Sequence, residues 1–348
     1  MTAFAGADGG LTFGSLSCQQ TLDDGRRAIL IDEIVAEAQA AERAGFAGVF
    51  VSEHHQRADN FFPSPLVLAT VLARATARID VGVAVAVLPL YQPLRLVEDA
   101  TCIDVVAGGR FILGLGPGYV PADMRLYGME KPEALERYTE GLEIVTHGWD
   151  RDWSFAGRHY RAAIADITPR PISTPRPRLW IAANTTAGVE RAARLADSWV
   201  IGGRASLTSA AVAAPRYHAA CAEAGKQPLV AVIRDAWLAD SDLEAFRSIA
   251  PHLLTTHLER VRGGFIRDPL AAGVDPATAG PEDFYRIAAD RWLVGDAARV
   301  RGQIERWRAR IGASYFIVRF RHAAGPPHEA VLEQIRGFGR AIGAGAFR

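Results

Sequence analysis

The chain has 348 residues with 39 basic and 39 acidic side chains, so its formal net charge is zero. That balance, without any basic run, argues against nucleic acid or an anionic membrane surface as a partner. The hydrophobic fraction of 49% supports a large core, and the longest apolar run, residues 81–90, is too short to span a bilayer. The three cysteines, Cys18, Cys102 and Cys221, are odd in number and widely spaced, with no CxxC or Cys/His metal spacing. Together with a start, "MTAFAGADGG", that lacks a basic n-region and an apolar h-region, this leads to the expectation of a cytoplasmic protein.

In chain order, apolar β-branched runs alternate with helical patterns. A predicted strand at 11–17 precedes a helix over 28–45, where Ile31, Ile34, Val35 and Ala38 recur at helical spacing and Gly45 ends the run. A strand at 48–53 is followed by a helix over 64–76, with Ser64 placed as N-cap and Pro65 at the first helical position. Strand 80–88, helix 93–109 and strand 110–116 come next. Residues 149–177 form an insertion in which "WSFAGRHY" reads as a short hairpin turning at Ala156-Gly157. Further strands are predicted at 178–183, 197–203 and 229–238. A second insertion, 242–292, carries Gly263-Gly264 and a polar Pro/Gly stretch; long insertions after barrel strands often serve as lids. Strand 314–320 and helix 328–342 close the chain. Eight strands alternating with helices point to an α/β fold, a (β/α)8 TIM barrel with insertions after strands 4 and 7.

Active sites of that fold lie at the C-terminal strand ends. The second strand ends in Ser52, Glu53, His54 and His55, ionisable groups too costly to bury in isolation. Pleating puts Phe50, Ser52 and His54 on one face and Val51, Glu53 and His55 on the other, so the two imidazoles are not placed to chelate one metal, and no metal site is expected. Hydrogen bonding to neighbouring loops and a functional role are equally compatible with these histidines. In "VAVAVLPLYQP", alternating Ala leaves room on one face, for a flat ring or for a helix. "ANTTAG" places Asn184 and Thr185 at a helix N-terminus, suited to a phosphate or to plain capping. Gly202 and Gly203 offer bare backbone beside Arg204.

Taken together, "GFAGVFVSEHH" (45–55), the stretch 63–119, "FAGRHY" (155–160), "PRPRLWIAAN" (175–184) and "WLVGDAARVRGQI" (292–304) resemble the bacterial luciferase-like flavin-dependent oxidoreductases. The resemblance implies one TIM-barrel domain over 1–348 with FMN at its C-terminal face. Many members use reduced FMN, supplied by a separate flavin reductase, and O2 to oxidise a small organic substrate. Others transfer hydride with the deazaflavin coenzyme, and a flavin-binding protein without turnover is a third reading. The resemblance implies catalytic roles for His54 and Glu53 and a non-prolyl cis peptide at Ala84–Val85 beneath the flavin ring. It implies cofactor contacts from Arg137, Asn184, Thr185, Gly202 and Gly203, Arg137 pairing the flavin phosphate. It also implies a homodimer packed through helices 64–76 and 93–107. One position departs: where the family carries an Arg in the turn after strand four, this chain has Pro117, which offers neither charge nor backbone donor.

Overall fold

The computed structural model describes residues 12–16, 27–57, 61–264, 266–275, 277–323 and 325–343. The expectations for the first ten residues and for Cys18 fall outside them. The chain runs β1 (Thr12–Leu16), α1 (Arg27–Arg43), β2 (Gly48–Val51), α2 (Pro65–Ala75), β3 (Asp80–Val87), α3 (Pro93–Ala107) and β4 (Phe111–Gly116). After these come α4 (Pro121–Leu126), α5 (Lys131–Thr146), β5 (Trp153–Ala156), β6 (Arg161–Ile164), β7 (Arg178–Ala182), α6 (Thr186–Leu195), β8 (Ser198–Ile201) and α7 (Leu207–Glu223). The last part holds β9 (Val230–Leu238), α8 (Asp242–Arg262), α9 (Pro281–Ala288), β10 (Leu293–Gly295), α10 (Ala297–Ile311), β11 (Ala313–Arg319) and α11 (His328–Ile342).

The eight predicted strands are β1, β2, β3, β4, β7, β8, β9 and β11, all paired in parallel, and the β8–β9 and β11–β1 pairings close them into a barrel. Short β10 was not foreseen; it pairs with the late residues of β9, Ala236 to Leu238. The hairpin β5–β6 turns over residues 157–160, later than expected. Glu140 of α5 accepts the backbone N–H groups of Arg158, His159 and Tyr160 at 2.9–3.0 Å, and so holds that longer turn. Ser64 stands at the α2 N-cap but its side chain makes no capping bond. The 242–292 insertion is more helical than its Pro/Gly content suggested, because α8 alone covers 21 residues.

Glycines decide how the barrel is filled. Phe50 stacks on Trp180 at 5.5 Å between centroids and meets Tyr315 edge-on at 5.7 Å. A Cβ on Gly14 would lie 2.7 Å from the Phe50 ring, and one on Gly48 would lie 2.7 Å from the Tyr315 hydroxyl. The strand glycines therefore make room for a three-ring plug across the barrel interior, which burial of large apolar rings stabilises. Higher up, β3 breaks register with β4 between Val83 and Ala86, where the Ala84–Val85 peptide is cis. A Cβ on Gly114 would run into the Val83 carbonyl oxygen, and one on Gly116 would lie 2.8 Å from the Val85 side chain. "GLG" on β4 is thus the complement of the irregular β3 backbone.

Candidate active site

A cavity opens above the plug at the C-terminal ends of the strands. Glu53, His54, Ala84, Val85, Asn184, Gly202 and Gly203, all singled out from the sequence, line it. Arg137 and Thr185 do not. Arg137 sits on α5 with its Nε donating to Glu133 at 2.8 Å, and Thr185 caps α6 by accepting the Gly188 N–H at 3.2 Å.

The β2 strand ends at Val51, two residues earlier than the pattern suggested, so the alternation of faces stops there. Glu53 turns inward and is 4% exposed, yet also borders the cavity. Its carboxylate accepts the Val87 N–H at 2.7 Å and pairs with His55 Nε2 at 2.8 Å. Burial first, and Glu53 second, push the Tyr91 hydroxyl far above its ordinary range. The hydrogen bond that the His55 imidazole donates to Glu53 holds that imidazole above its usual value against the opposing effect of burial. Glu53 therefore ties the loop after β2 to the end of β3, directly beyond the cis peptide. His55 belongs to this strut, and its Nδ1 reaches Tyr127 at 3.3 Å.

His54 faces the opposite way. Its Nε2 lies 3.3 Å from the Tyr119 hydroxyl and its Nδ1 lies 3.7 Å from Asp123. Phe61 packs edge-on against the ring at 4.9 Å. A hydroxyl and a carboxylate at its two nitrogens orient an imidazole for proton exchange with whatever enters the cavity. The Arg204 guanidinium stacks 3.5 Å over the Tyr119 ring, and burial lowers its pKa. On the far wall, Arg319 donates to Asp235 at 2.6 Å. Burial works against the charged carboxylate, but the charges of Arg319, His322 and Arg260 and the hydrogen bond from Arg319 together outweigh it, and Asp235 is lowered to about 2.

Tyr119, Asp123, Asp235 and Arg319 were not assigned roles from the sequence. Asp235 had a signal: "RD" interrupts the apolar strand 229–238. Pro117, noted from the sequence as offering no charge, lines the cavity and contributes apolar wall.

Cavity floor and walls fit a flat aromatic cofactor. Ala84, Val85, Gly116 and Ala182 present little side chain, and a Cβ at Gly202 would meet nothing within 4 Å. A slot that combines bare backbone at Gly202 and Gly203 with the neighbouring cationic side chains of Arg204 and Arg319 suits a ring system bearing a polar, anionic tail.

Such a barrel, with its site at the strand ends and a histidine after the second strand, defines a class of proteins. A family profile described as luciferase-like monooxygenase matches residues 12–315. The chain belongs to that family. An uncharacterised protein y4vJ of Sinorhizobium fredii is 35% identical over 168 residues, 48% of each chain. The oxygenase component of the flavin-dependent trigonelline monooxygenase of Acinetobacter baylyi is 26% identical over 156 residues, 44% of this chain and 43% of that one. The chain thus spans about half the length of the curated relatives it matches. The oxygenating constituent of 3,6-diketocamphane monooxygenase from Pseudomonas putida, solved with FMN, superposes with TM-score 0.79 at 20% identity. It covers 97% of this chain and 99% of that one, a likeness of fold.

Proposed function

We propose that the protein is a flavin-dependent monooxygenase that takes reduced FMN from a separate flavin reductase and uses O2 to oxidise a small organic substrate. The observation carrying this reading is convergence. His54, Glu53, the cis Ala84–Val85 peptide, Asn184 and the Gly202–Gly203 backbone come from distant parts of the chain and border one cavity. Reduced flavin, when bound, supplies the electrons for O2 activation. The chain's own residues do the rest. Ala84, Val85, Gly116 and Ala182 form the low apolar wall for the ring, and Asn184 with Gly202 and Gly203 takes the polar tail. Tyr119 and Asp123 hold the His54 ring, which moves a proton at Nε2. Glu53 keeps its place as the strut beneath the loop. The apolar lining limits water beside the reacting atoms.

The insertion 242–292 serves as the lid in this reading, since α8 carries Thr256, Glu259 and Arg260 to the mouth of the cavity. Slower hydrogen exchange in the last turns of α8 when flavin is added is the expected sign. A homodimer through α2 and α3 is part of the proposal. Val67, Val71 and Val105 are exposed apolar side chains on those helices. Light scattering showing a monomer at micromolar concentration would remove that element. Among the described residues no helix is long and apolar enough to cross a membrane; a cytoplasmic location is the proposed setting.

The deciding experiment is a side-by-side titration with reduced FMN, oxidised FMN and the deazaflavin coenzyme. Reduced FMN is expected to bind most tightly. Equal or tighter deazaflavin binding would turn the assignment to hydride transfer, and no binding of any of the three would end the flavin reading.

A further inference from the structure

Outside the flavin-sized cavity lies a second chamber, and the two share a boundary made of Ser52, His54, Tyr119, Val120, Asp123, Arg204 and Arg319. Anything seated in the outer chamber therefore lies beside the same imidazole that faces the inner one. Beyond the boundary, the outer chamber gains Arg57 from the loop after β2 and Arg260 from the last turn of α8. Four guanidinium groups face it, those of Arg57, Arg204, Arg260 and Arg319, against two carboxylates, Asp123 and Glu259.

The charges are not disposed alike. Arg319 is held by Asp235 at 2.6 Å, and Arg204 lies flat on Tyr119. Asp123 is buried against His54, and Glu259 is exposed. Arg260 is half-buried; its carbonyl accepts the Ile266 N–H, but among the described residues its guanidinium makes no hydrogen bond or ion pair within bonding distance. Burial lowers its pKa first, then Arg319, with Arg57 adding to the effect and Tyr119 and Asp235 opposing it. Holding a guanidinium beside like charges in a partly desolvated place costs stability unless a counter-charge arrives. A concave wall dominated by one sign also draws ligands of the other sign. Phe61 and Val120 add an apolar patch to the same chamber.

We propose that the outer chamber is the substrate's anchoring site, and that the substrate is a small organic anion whose carboxylate or similar oxyanion is held by Arg260 with Arg57, its apolar body resting on Phe61 beside His54. This inference rests on the monooxygenase reading and names the substrate class for it. Guanidinium is the side chain best matched to such a group, since its planar fork bonds a carboxylate bidentately. The flavin's phosphate has the same chemistry, so the test must separate the two sources.

The test is calorimetric titration with benzoate and with its neutral counterpart benzamide, without flavin, on the wild-type chain and on Arg260→Gln and Arg260→Lys. FMN and riboflavin are titrated on the same three proteins. Benzoate is expected to bind with a Kd of about 1 mM or tighter, a modest demand for a charged pocket. Benzamide is expected to bind at least about tenfold more weakly. Arg260→Gln should erase that preference, Arg260→Lys should keep part of it, and the ratio of FMN to riboflavin affinity should not move. Thermal melting of Arg260→Gln should match or exceed wild type, because a repelled charge has been removed. Benzoate and benzamide binding alike, or benzoate failing to bind in that range, would overturn the proposal. Loss of FMN preference with benzoate spared would hand the chamber to the cofactor's phosphate and overturn it too. A lower melting temperature with unchanged benzoate preference would make Arg260 structural. Because the benzoate titrations contain no flavin, failure of the flavin reading shows only in the FMN and riboflavin arms.

Discussion

Phe50, Trp180 and Tyr315 close the barrel interior with packed rings, and Gly114 and Gly116 let β3 bulge against β4 directly above them. The mouth, by contrast, is walled by guanidinium groups carried on loops, on the end of β11 and on the end of α8. Floor and mouth spend stability differently. The floor is held by close contact, so a single added methyl group is felt there. At the mouth, like charges are gathered at a stability cost, a pattern that makes sense where binding is selected over folding. Between the two sits His54, touched by both chambers and supported from neither by a buried ion pair as close as that of Glu53 and His55.

The largest effect that would test this division is at His54. His54→Ala is expected to retain its circular dichroism spectrum and most flavin affinity, yet lose product formed per reduced flavin by about 10²–10⁴, the usual contribution of an acid–base group. If His54→Ala stayed fully coupled while His55→Ala did not, the strut and the proton-transfer group have been exchanged.

The floor is probed by Gly114→Ala. Its Cβ would meet the Val83 carbonyl oxygen, a backbone atom that cannot swing away. A loss of about 1–3 kcal/mol is expected in denaturant unfolding, as for other overpacked interiors. The same measurement on Arg260→Gln should show no loss, and equal losses at the two positions would erase the contrast between floor and mouth.

His55→Ala sharpens the comparison through pH. It leaves the buried Glu53 carboxylate short of a partner, a loss of about 1–3 kcal/mol. His55 is raised in the fold by Glu53. Its contribution is therefore complete below the unfolded value, about 6.5, and is lost as pH rises through the higher folded value. Wild-type stability should fall over that interval relative to His55→Ala. Parallel stability profiles across it would show that the pair does not couple folding to protonation.

Arg137 gives the smallest expected effect. The family resemblance assigns it to the flavin phosphate, whereas its guanidinium is engaged by Glu133 away from the cavity lining. Arg137→Ala is expected to change FMN affinity by less than about tenfold, with riboflavin following in step. A selective loss of FMN by roughly ten- to hundredfold, the size of a lost charge-assisted bond, would restore the phosphate role.

Much of this molecule was legible in its sequence because the relevant signals are local. Alternating apolar strands and helix-period runs depend on residues a few positions apart, and they located all eight barrel strands. "SEHH" at a strand end, Ala84 of "VAVAV" and the glycines after Ile201 were visible for the same reason, and all of these but His55 line the cavity. Tertiary structure alone decided the partnerships. Glu53 reaches Val87 across 34 positions, and Arg319 finds Asp235 across 84. Arg260 carried no signal in the sequence, and only the insertion's fold brings it to the barrel mouth. Periodicity records which face of its own element a side chain occupies. What that face meets is set by barrel closure and by the docking of α8, and these bring together residues whose spacing along the chain carries no trace of their contact.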